Sequence, residues 1–361
     1  MAAIKRSVRN FWPHSWPRPE SDALVQAISR QVAALPERPK VLAVGLSGGF
    51  DSAMLAVHAA VFARKHRLAL HFFHIHHGLQ DIAGHWAAHV HDLAQWLQVP
   101  CHTLRVQVDL SRGDGIESAA RDARYQAFRQ LAAQAGVRHI LLAHHRNDQA
   151  ETVLLRLLRG AGPAGLAAMA SCAERDGITY LRPWLDVDRS AILMRAEKFH
   201  QLSGWQPVHD PTNQDDKYTR AALRERLVPA LNERWPGWQG NLVRQARLSA
   251  EAQQVLDEVA EQDFAGLEPD DDARSFSLKA WRGLSLARQA LVLRYWLARL
   301  GQRMPSDARL QDIMRQLRGL HAMGHDRQMQ VKHGSVWVCC IKGRIALRDE
   351  MASKNEGREK S

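Results

Sequence analysis

Along the first half of the chain, short apolar runs alternate with longer stretches whose apolar positions recur at helical spacing. Val41 to Gly45 is an apolar run of strand length, and Leu68 to Ile75, His102 to Val108 and Val137 to Ala143 repeat it. Between them the spacing predicts helices near 52–66, 81–98, 117–135 and 148–159. A further helix over 21–35 is marked by Leu24, Ile28, Val32 and Leu35, and Pro36 and Pro39 end it. Strands separated by helices predict an α/β fold, a parallel doubly wound sheet with helices on both faces. Ligands of such sheets lie beyond the carboxyl ends of the strands, so chemistry is expected just after each run. A short strand near Thr179 to Leu181 and a helix from about Arg189 to Leu202 complete this half.

The stretch Gly204 to Asn213, rich in Gly, Pro and Asn, breaks the pattern, and a helix carrying Arg220, Arg224 and Arg226 then runs toward Pro229. From Asn241 onward, helical periods at about 241–262 and 284–300 flank an acidic loop, Pro269 to Asp272, and a shorter helix follows near 306–319. The alternation in Gln328 to Lys332, the turn at His333-Gly334, the return over Ser335 to Cys340 and Arg344 to Leu347 predict a small β-meander closing a mainly helical domain. The chain therefore reads as an N-terminal arm (1–20), a sheet domain (21–218), a helical domain (219–350) and a polar tail (351–361) expected to be disordered.

Charge adds a partner to this picture. The chain has 361 residues, with 49 Lys and Arg against 38 Asp and Glu, a formal +11 spread along its length. That spread fits a polyanion held over a broad face, with a merely soluble basic protein as the alternative. The four cysteines, Cys101, Cys172, Cys339 and Cys340, form no C-x-x-C pair, so no disulfide framework, zinc ribbon or thiol relay is supported. No apolar run approaches the ~18–20 residues of a membrane span, and the N-terminus lacks the apolar core of a signal peptide. The expected location is the cytoplasm, with no membrane partner.

Candidate chemistry sits after each strand. The first run opens into Ser47-Gly48-Gly49-Phe50-Asp51-Ser52 and then a helix. A strand, a Ser/Gly turn and a helix start offer backbone N–H groups to a phosphate. Asp51 fits there if Mg²⁺ bridges carboxylate and phosphate. The stretch is neither G-x-x-x-x-G-K-[ST] nor G-x-G-x-x-G. After the second strand come His74, His76, His77, Gly78 and Leu79; alternation sends His74 and His76 to one face and His77 to the other, so a nucleotide contact is favoured over a metal cluster. After the third, Glu117, Arg121 and Arg124 share one helix face, either as an ion-pair ladder or facing phosphate or a base. After the fourth, His144 to Thr152 carries two histidines with Asn147, Asp148 and Glu151. Asn147 reads as a helix cap, and Asp51, Asp148 and Glu151 together could hold Mg²⁺ or an ammonium group. The Gly/Pro loop Arg159 to Leu166 is a mobile lid or a plain connection.

Taken together, these motifs closely resemble the tRNA(Ile)-lysidine synthetases within the N-type ATP pyrophosphatase (PP-loop) family. The resemblance covers roughly the first 230 residues and rests on Ser47 to Ser52, His76 to Leu79, Glu117 to Arg121 with Arg124-Tyr125, and His144 to Thr152. It continues through Leu158 to Gly162, Arg182 to Leu185, Asp210 to Asn213, Arg220 and Arg224. The family's Asp-Asp before Gln is Asn147-Asp148 here, one carboxylate fewer. The third domain of longer members is expected to be missing or reduced.

What the resemblance implies is an adenine nucleotide alpha hydrolase-like fold and ATP-dependent joining of free L-lysine to C2 of the first anticodon cytidine of a tRNA(Ile) with a CAU anticodon. An adenylated cytidine is the intermediate, and AMP and pyrophosphate are released. Ser47, Gly48, Gly49, Phe50, Asp51, Ser52 and His76 would bind ATP, with Mg²⁺ on Asp51. Asp51, Arg124, His144, Asp148 and Glu151 would serve lysine and cytidine, and Arg121, Arg159, Arg220 and Arg224 would contact tRNA or phosphate. A homodimer is compatible with all of this. Rival readings are a tRNA-thiolating enzyme, which needs reactive cysteines, a small-molecule ligase with a glutaminase partner, and a catalytically silent tRNA-binding module.

Overall fold

The computed structural model describes residues 20–76, 83–107, 116–208, 219–320 and 329–349, without the side chains of 83–85, 116 and 117. The expected tail, the arm apart from Glu20, His77 to Asp81 and Asp210 to Asn213 lie outside these residues. The chain forms two compact units, residues 1–248 and 249–361, so residues 219–248 cluster with the first.

The first unit begins with α1 (Ala23–Ala33), β1 (Val41–Gly45), α2 (Phe50–His66), β2 (Ala69–His76), α3 (Ala83–Leu97), β3 (Cys101–Arg105) and α4 (Ile116–Ala135). It continues with β4 (His139–Leu141), α5 (Arg146–Leu158), α6 (Pro163–Leu166), β5 (Cys172–Arg175), β6 (Ile178–Leu181) and α7 (Arg189–Ser203). After them come α8 (Thr219–Ala222), a π-helical turn (Leu223–Leu227), α9 (Val228–Arg234) and α10 (Trp238–Ala265), the last of which crosses into the second unit.

The six strands lie in the order β3-β2-β1-β4-β6-β5, parallel except for β5, which pairs antiparallel with β6. The predicted doubly wound sheet is therefore present. Its order reverses between β1 and β4, whose neighbours in the chain, α2 and α4, pack on opposite faces of the sheet, and a crevice opens at the carboxyl ends of these two strands.

Alternation along the strands builds a core on each face. Leu42, Val44, Phe72, Leu141 and Leu181 meet α1, α2, α3 and α7, while Ala43, Phe73, Ile140 and Tyr180 meet Phe128 and Leu131 of α4. α2 is buried on nearly every side, from Ser52 to Ala63, which explains its continuous apolar run. Asp22 caps α1, and its carboxylate is buried against His58 Nε2 at 3.7 Å and Arg195 Nε at 3.2 Å.

The second unit adds β7 (Ser275–Ser277), α11 (Leu278–Gly283), α12 (Leu286–Arg299), α13 (Asp307–Gly319), β8 (Met329–His333), β9 (Val336–Ile341) and β10 (Arg344–Asp349). The expected meander β8-β9-β10 is joined at its edge by β7, an antiparallel strand the periodicity did not reveal. Trp281, Trp296, Phe276, Leu310 and Ile345 form its core, with Trp281 Nε1 donating to Gln289 O at 3.2 Å and Trp296 Nε1 to Ala273 O at 2.8 Å.

Candidate active site

The crevice begins with the turn after β1. Gly48 has φ +92°, and a Cβ there would stand 3.1 Å from Val90 Cγ2 and 3.3 Å from Val208 Cγ2. Glycine is required by both conformation and space. Val208 N–H also donates to Gly48 O at 3.0 Å, and His89, stacked on Trp205 with centroids 4.7 Å apart, donates to Gln206 O. Residues 205–208 thus form an outer wall to the turn.

Inside it, Ser52 Oγ donates to Gly49 O at 3.1 Å and accepts from Ser47 N at 3.1 Å and from Ser47 Oγ at 2.9 Å. Gly49 is the N-cap of α2 and supplies no side-chain cap, and the first helical bond runs from Ala53 N to Gly49 O. The amides of Phe50, Asp51 and Ser52 head the helix before that bond, where orphan donors and the helix dipole favour an anion. His74 Nδ1 donates to Leu46 O at 2.8 Å, and burial lowers its pKa, so this imidazole buttresses the turn as a neutral group. His76 is buried at the end of β2, with neither ring nitrogen hydrogen-bonded among the described residues.

The chain after β4 supplies the facing wall. His145 caps α5: its Nδ1 accepts from Asp148 N at 3.3 Å while Asp148 Oδ2 accepts from His145 N at 3.1 Å. The ring proton therefore sits on Nε2, which lies 3.4 Å from Asp148 Oδ2 and 3.6 Å from Asp51 Oδ2. The residue expected to cap, Asn147, is instead the second residue of the helix, its Oδ1 buried and unpartnered among the described residues. Burial pushes the Asp51 carboxyl up, but His145 and Arg189 (Nε to Oδ1, 3.6 Å) outweigh it and hold it below its ordinary value. Asp51 Oδ1 is buried and accepts no short hydrogen bond among the described residues, with the Arg189 guanidinium at 3.6 Å, so it keeps lone pairs that a bound cation could use.

One turn along α5, buried Glu151 receives a bidentate guanidinium: Arg224 Nε to Oε1 at 2.7 Å and Nη2 to Oε2 at 2.8 Å, with Nη2 also 3.3 Å from Asp148 Oδ1. Arg220 Nε stands 3.6 Å from Glu151 Oε2, and its Nη2 donates to Thr152 Oγ1 at 3.0 Å. Although burial lowers the pKa of Arg224, Glu151, Asp148 and Asp51 together raise it. Beside them His144 is pushed down to about 3 by burial, with Arg182, Arg121 and Arg220 opposing the pull of Asp148, so it meets a ligand as neutral imidazole.

Tyr125 gathers the remaining cations. Its Oη accepts from Arg121 at 3.3 Å and from Arg182 at 3.4 Å, and Arg175 lies over the ring at 4.6 Å. Arg124 stands exposed on the same helix.

The structure thus assembles Ser47 to Ser52, His144, Asp148, Glu151, Arg220 and Arg224 in one crevice, with Arg121 flanking it. Arg159 is not brought there: it caps the opposite end of α5. The Gly/Pro loop after it carries α6 and is tied to α5 by Arg156, donating to Gly165 O at 2.7 Å and Ala168 O at 3.0 Å, and by Gln149 with Met169. Three participants escaped the sequence reading, namely His145 as the link to Asp51, Arg189 and Arg175. For His145 the signal was available, since a residue before a helix followed three positions later by Asp is a capping pattern. Among the cysteines, burial pushes the Cys101 thiol up to about 12, far from a reactive thiolate.

Comparison with known proteins agrees with this architecture. Residues 23–231 match the model of the PP-loop domain family, and residues 276–346 match that of the TilS substrate binding domain. The tRNA(Ile)-lysidine synthase of Bordetella bronchiseptica is 57% identical over 333 residues, covering 91% of this chain and 96% of that protein. The synthase of Bordetella pertussis is 58% identical over 316 residues, covering 88% and 98%. Among solved structures, a U34-tRNA thiolase from Methanococcus maripaludis with its [4Fe-4S] cluster superposes with a TM-score of 0.52 at 14% identity, over 63% of this chain and 78% of that one, a likeness of fold alone. No described helix is long and apolar enough to cross a membrane. By the PP-loop domain over its first unit and the extent of these identities, the chain belongs to the tRNA(Ile)-lysidine synthase family of ATP-binding ligases.

Proposed function

We propose that this chain joins lysine to C2 of the cytidine at the first anticodon position of a tRNA(Ile) with a CAU anticodon, giving lysidine and changing codon reading from AUG to AUA. The observation that carries this reading is the convergence of two strand ends: an uncapped helix start bearing Asp51 beside a carboxylate pair, Asp148 and Glu151, across the β1/β4 crevice.

In the first step the C2 oxygen attacks the α-phosphorus of ATP, and the bond to pyrophosphate breaks. Ser47, Gly48, Gly49, Phe50 and Ser52 cradle the departing pyrophosphate with backbone amides and hydroxyls. Asp51 is the residue suited to hold Mg²⁺, which when bound supplies positive charge to the phosphates. In the second step the neutral ε-amine of lysine attacks C2, the C2–O bond breaks and AMP leaves. Glu151 and Asp148 hold the ammonium beforehand and take its proton. His144 and Arg124 contact the cytidine, and His76 the nucleotide. Arg121, Arg220, Arg224 and, farther off, Arg159 meet phosphate or tRNA. The helical unit grips the tRNA, in a cytoplasmic setting. A homodimer is compatible with this scheme.

The test is AMP release from ATP with tRNA(Ile) bearing CAU and each amino acid in turn. Dependence on that tRNA and on lysine is expected; AMP release that needs neither would sink the reading.

A further inference from the structure

The carboxylates assigned to the amine already hold a cation. Arg224 grips both oxygens of buried Glu151 at 2.7 and 2.8 Å and reaches Asp148 at 3.3 Å. Such charge-assisted forks are the strong members of their class. Among the described residues, the three crevice carboxylates (Asp51, Asp148 and Glu151) are already ion-paired with three guanidiniums (Arg189, Arg220 and Arg224), and Arg121 and Arg182 lie close by. An ammonium added to that set is surplus charge. Removing Arg224 with no replacement leaves buried Glu151 only the longer contact to Arg220 at 3.6 Å, which is costly. Exchange of one cation for another satisfies both constraints, provided the displaced guanidinium finds a new anion.

We propose that Arg224 is a resident cation that the substrate ammonium replaces, and that it gives up Glu151 only when nucleotide phosphates enter the crevice and offer it a second anion. This rests on the assignment of Asp148 and Glu151 to the amine. Arg224 lies in the π-helical turn Leu223–Leu227, closed by Val228 N–H on Leu223 O, between α8 and α9. A single π turn between α segments is a recurrent feature of functional sites, and its backbone can pass to α by a one-residue change of hydrogen-bond partner. Such a change rotates Arg224 relative to Arg220. Arg224 is therefore a positioning residue that orders events: nucleotide first, amine second. The amine site is not open before there is an activated base to attack.

The experiment is equilibrium dialysis of radiolabelled L-lysine against the full chain, with and without an uncleavable α,β-methylene analogue of ATP, and again with tRNA(Ile) added. For the wild-type chain the analogue is expected to tighten lysine binding about tenfold or more, within the ordinary range of site–site coupling. Arg224→Gln is expected to bind lysine about tenfold tighter than wild type without the analogue, and to lose the coupling. Arg224→Lys, which keeps the charge and guards against a folding defect, is expected to retain it. Equal lysine binding by the wild type with and without the analogue, or full coupling in Arg224→Gln, overturns the proposal alone. Lysine binding by neither protein in any arm overturns the amine assignment, and this inference with it.

Discussion

His145 Nε2 lies 3.6 Å from Asp51 Oδ2, joining the strand end that carries the phosphate turn to the strand end that carries the carboxylate pair. The same ring caps α5 through its other nitrogen. The two duties can be separated. His145→Asn keeps a side chain able to cap and loses the contact to Asp51, whereas His145→Ala loses both. AMP release is expected to fall about 10–100-fold in each variant, the scale for losing an outer partner of a metal ligand, the role proposed for Asp51. Only His145→Ala should also lose about 1 kcal/mol of stability in urea unfolding.

Asp51→Ala should abolish pyrophosphate release while leaving tRNA affinity within about twofold, since its contacts are to His145 and Arg189 at the phosphate end of the crevice. Filter binding of labelled tRNA beside a pyrophosphate assay separates the two. Loss of tRNA binding would make Asp51 a structural residue instead.

At Gly48 a methyl group meets both a left-handed backbone and two valine side chains at 3.1 and 3.3 Å. Gly48→Ala is expected to cost about 1–2 kcal/mol of stability. It should also raise KM for ATP, because the adjacent amides are displaced. Unchanged ATP kinetics would show that the turn does not shape the phosphate site.

Stability should also depend on acid through Asp22. Burial raises its pKa, but His58, Arg195 and the Leu24 amide more than offset this and bring it to about 2 from 3.8. A depressed folded-state value means the stabilisation is fully present above pH ~4 and is lost as the pH falls toward 2. The contribution at neutral pH is on the order of 2 kcal/mol. Urea unfolding of wild type and Asp22→Asn, which preserves a capping residue, should differ by that amount at pH 7 and converge near pH 2.

Much of this molecule was legible in its sequence because α2, α5 and β1 carry strong local signals: a continuous apolar period, and a strand ending in Gly and Ser. What escaped depends on contacts distant in the chain. β5 is a largely exposed edge strand, Cys172–Arg175, with no apolar alternation, so only its pairing with β6 defines it. β7, three residues long, exists through β10 in the same way. Arg159 was placed near the chemistry by its neighbours in sequence, yet α5 carries it to the far end of the helix. Arg189 reaches Asp51 from the start of α7, a meeting no spacing could announce.

The wall formed by residues 205–208 has a consequence for synthesis. The Ser47 to Ser52 turn leaves the ribosome early, but the valine that closes it, together with Arg220 and Arg224, follows more than 150 residues later. At roughly 5–20 residues per second, the first strand and its helix wait on the order of ten seconds or more for Val208 and Arg224. During that interval the nascent chain has a phosphate turn with one side missing. The growing polypeptide therefore completes this crevice late, once the chain around residue 224 has been made.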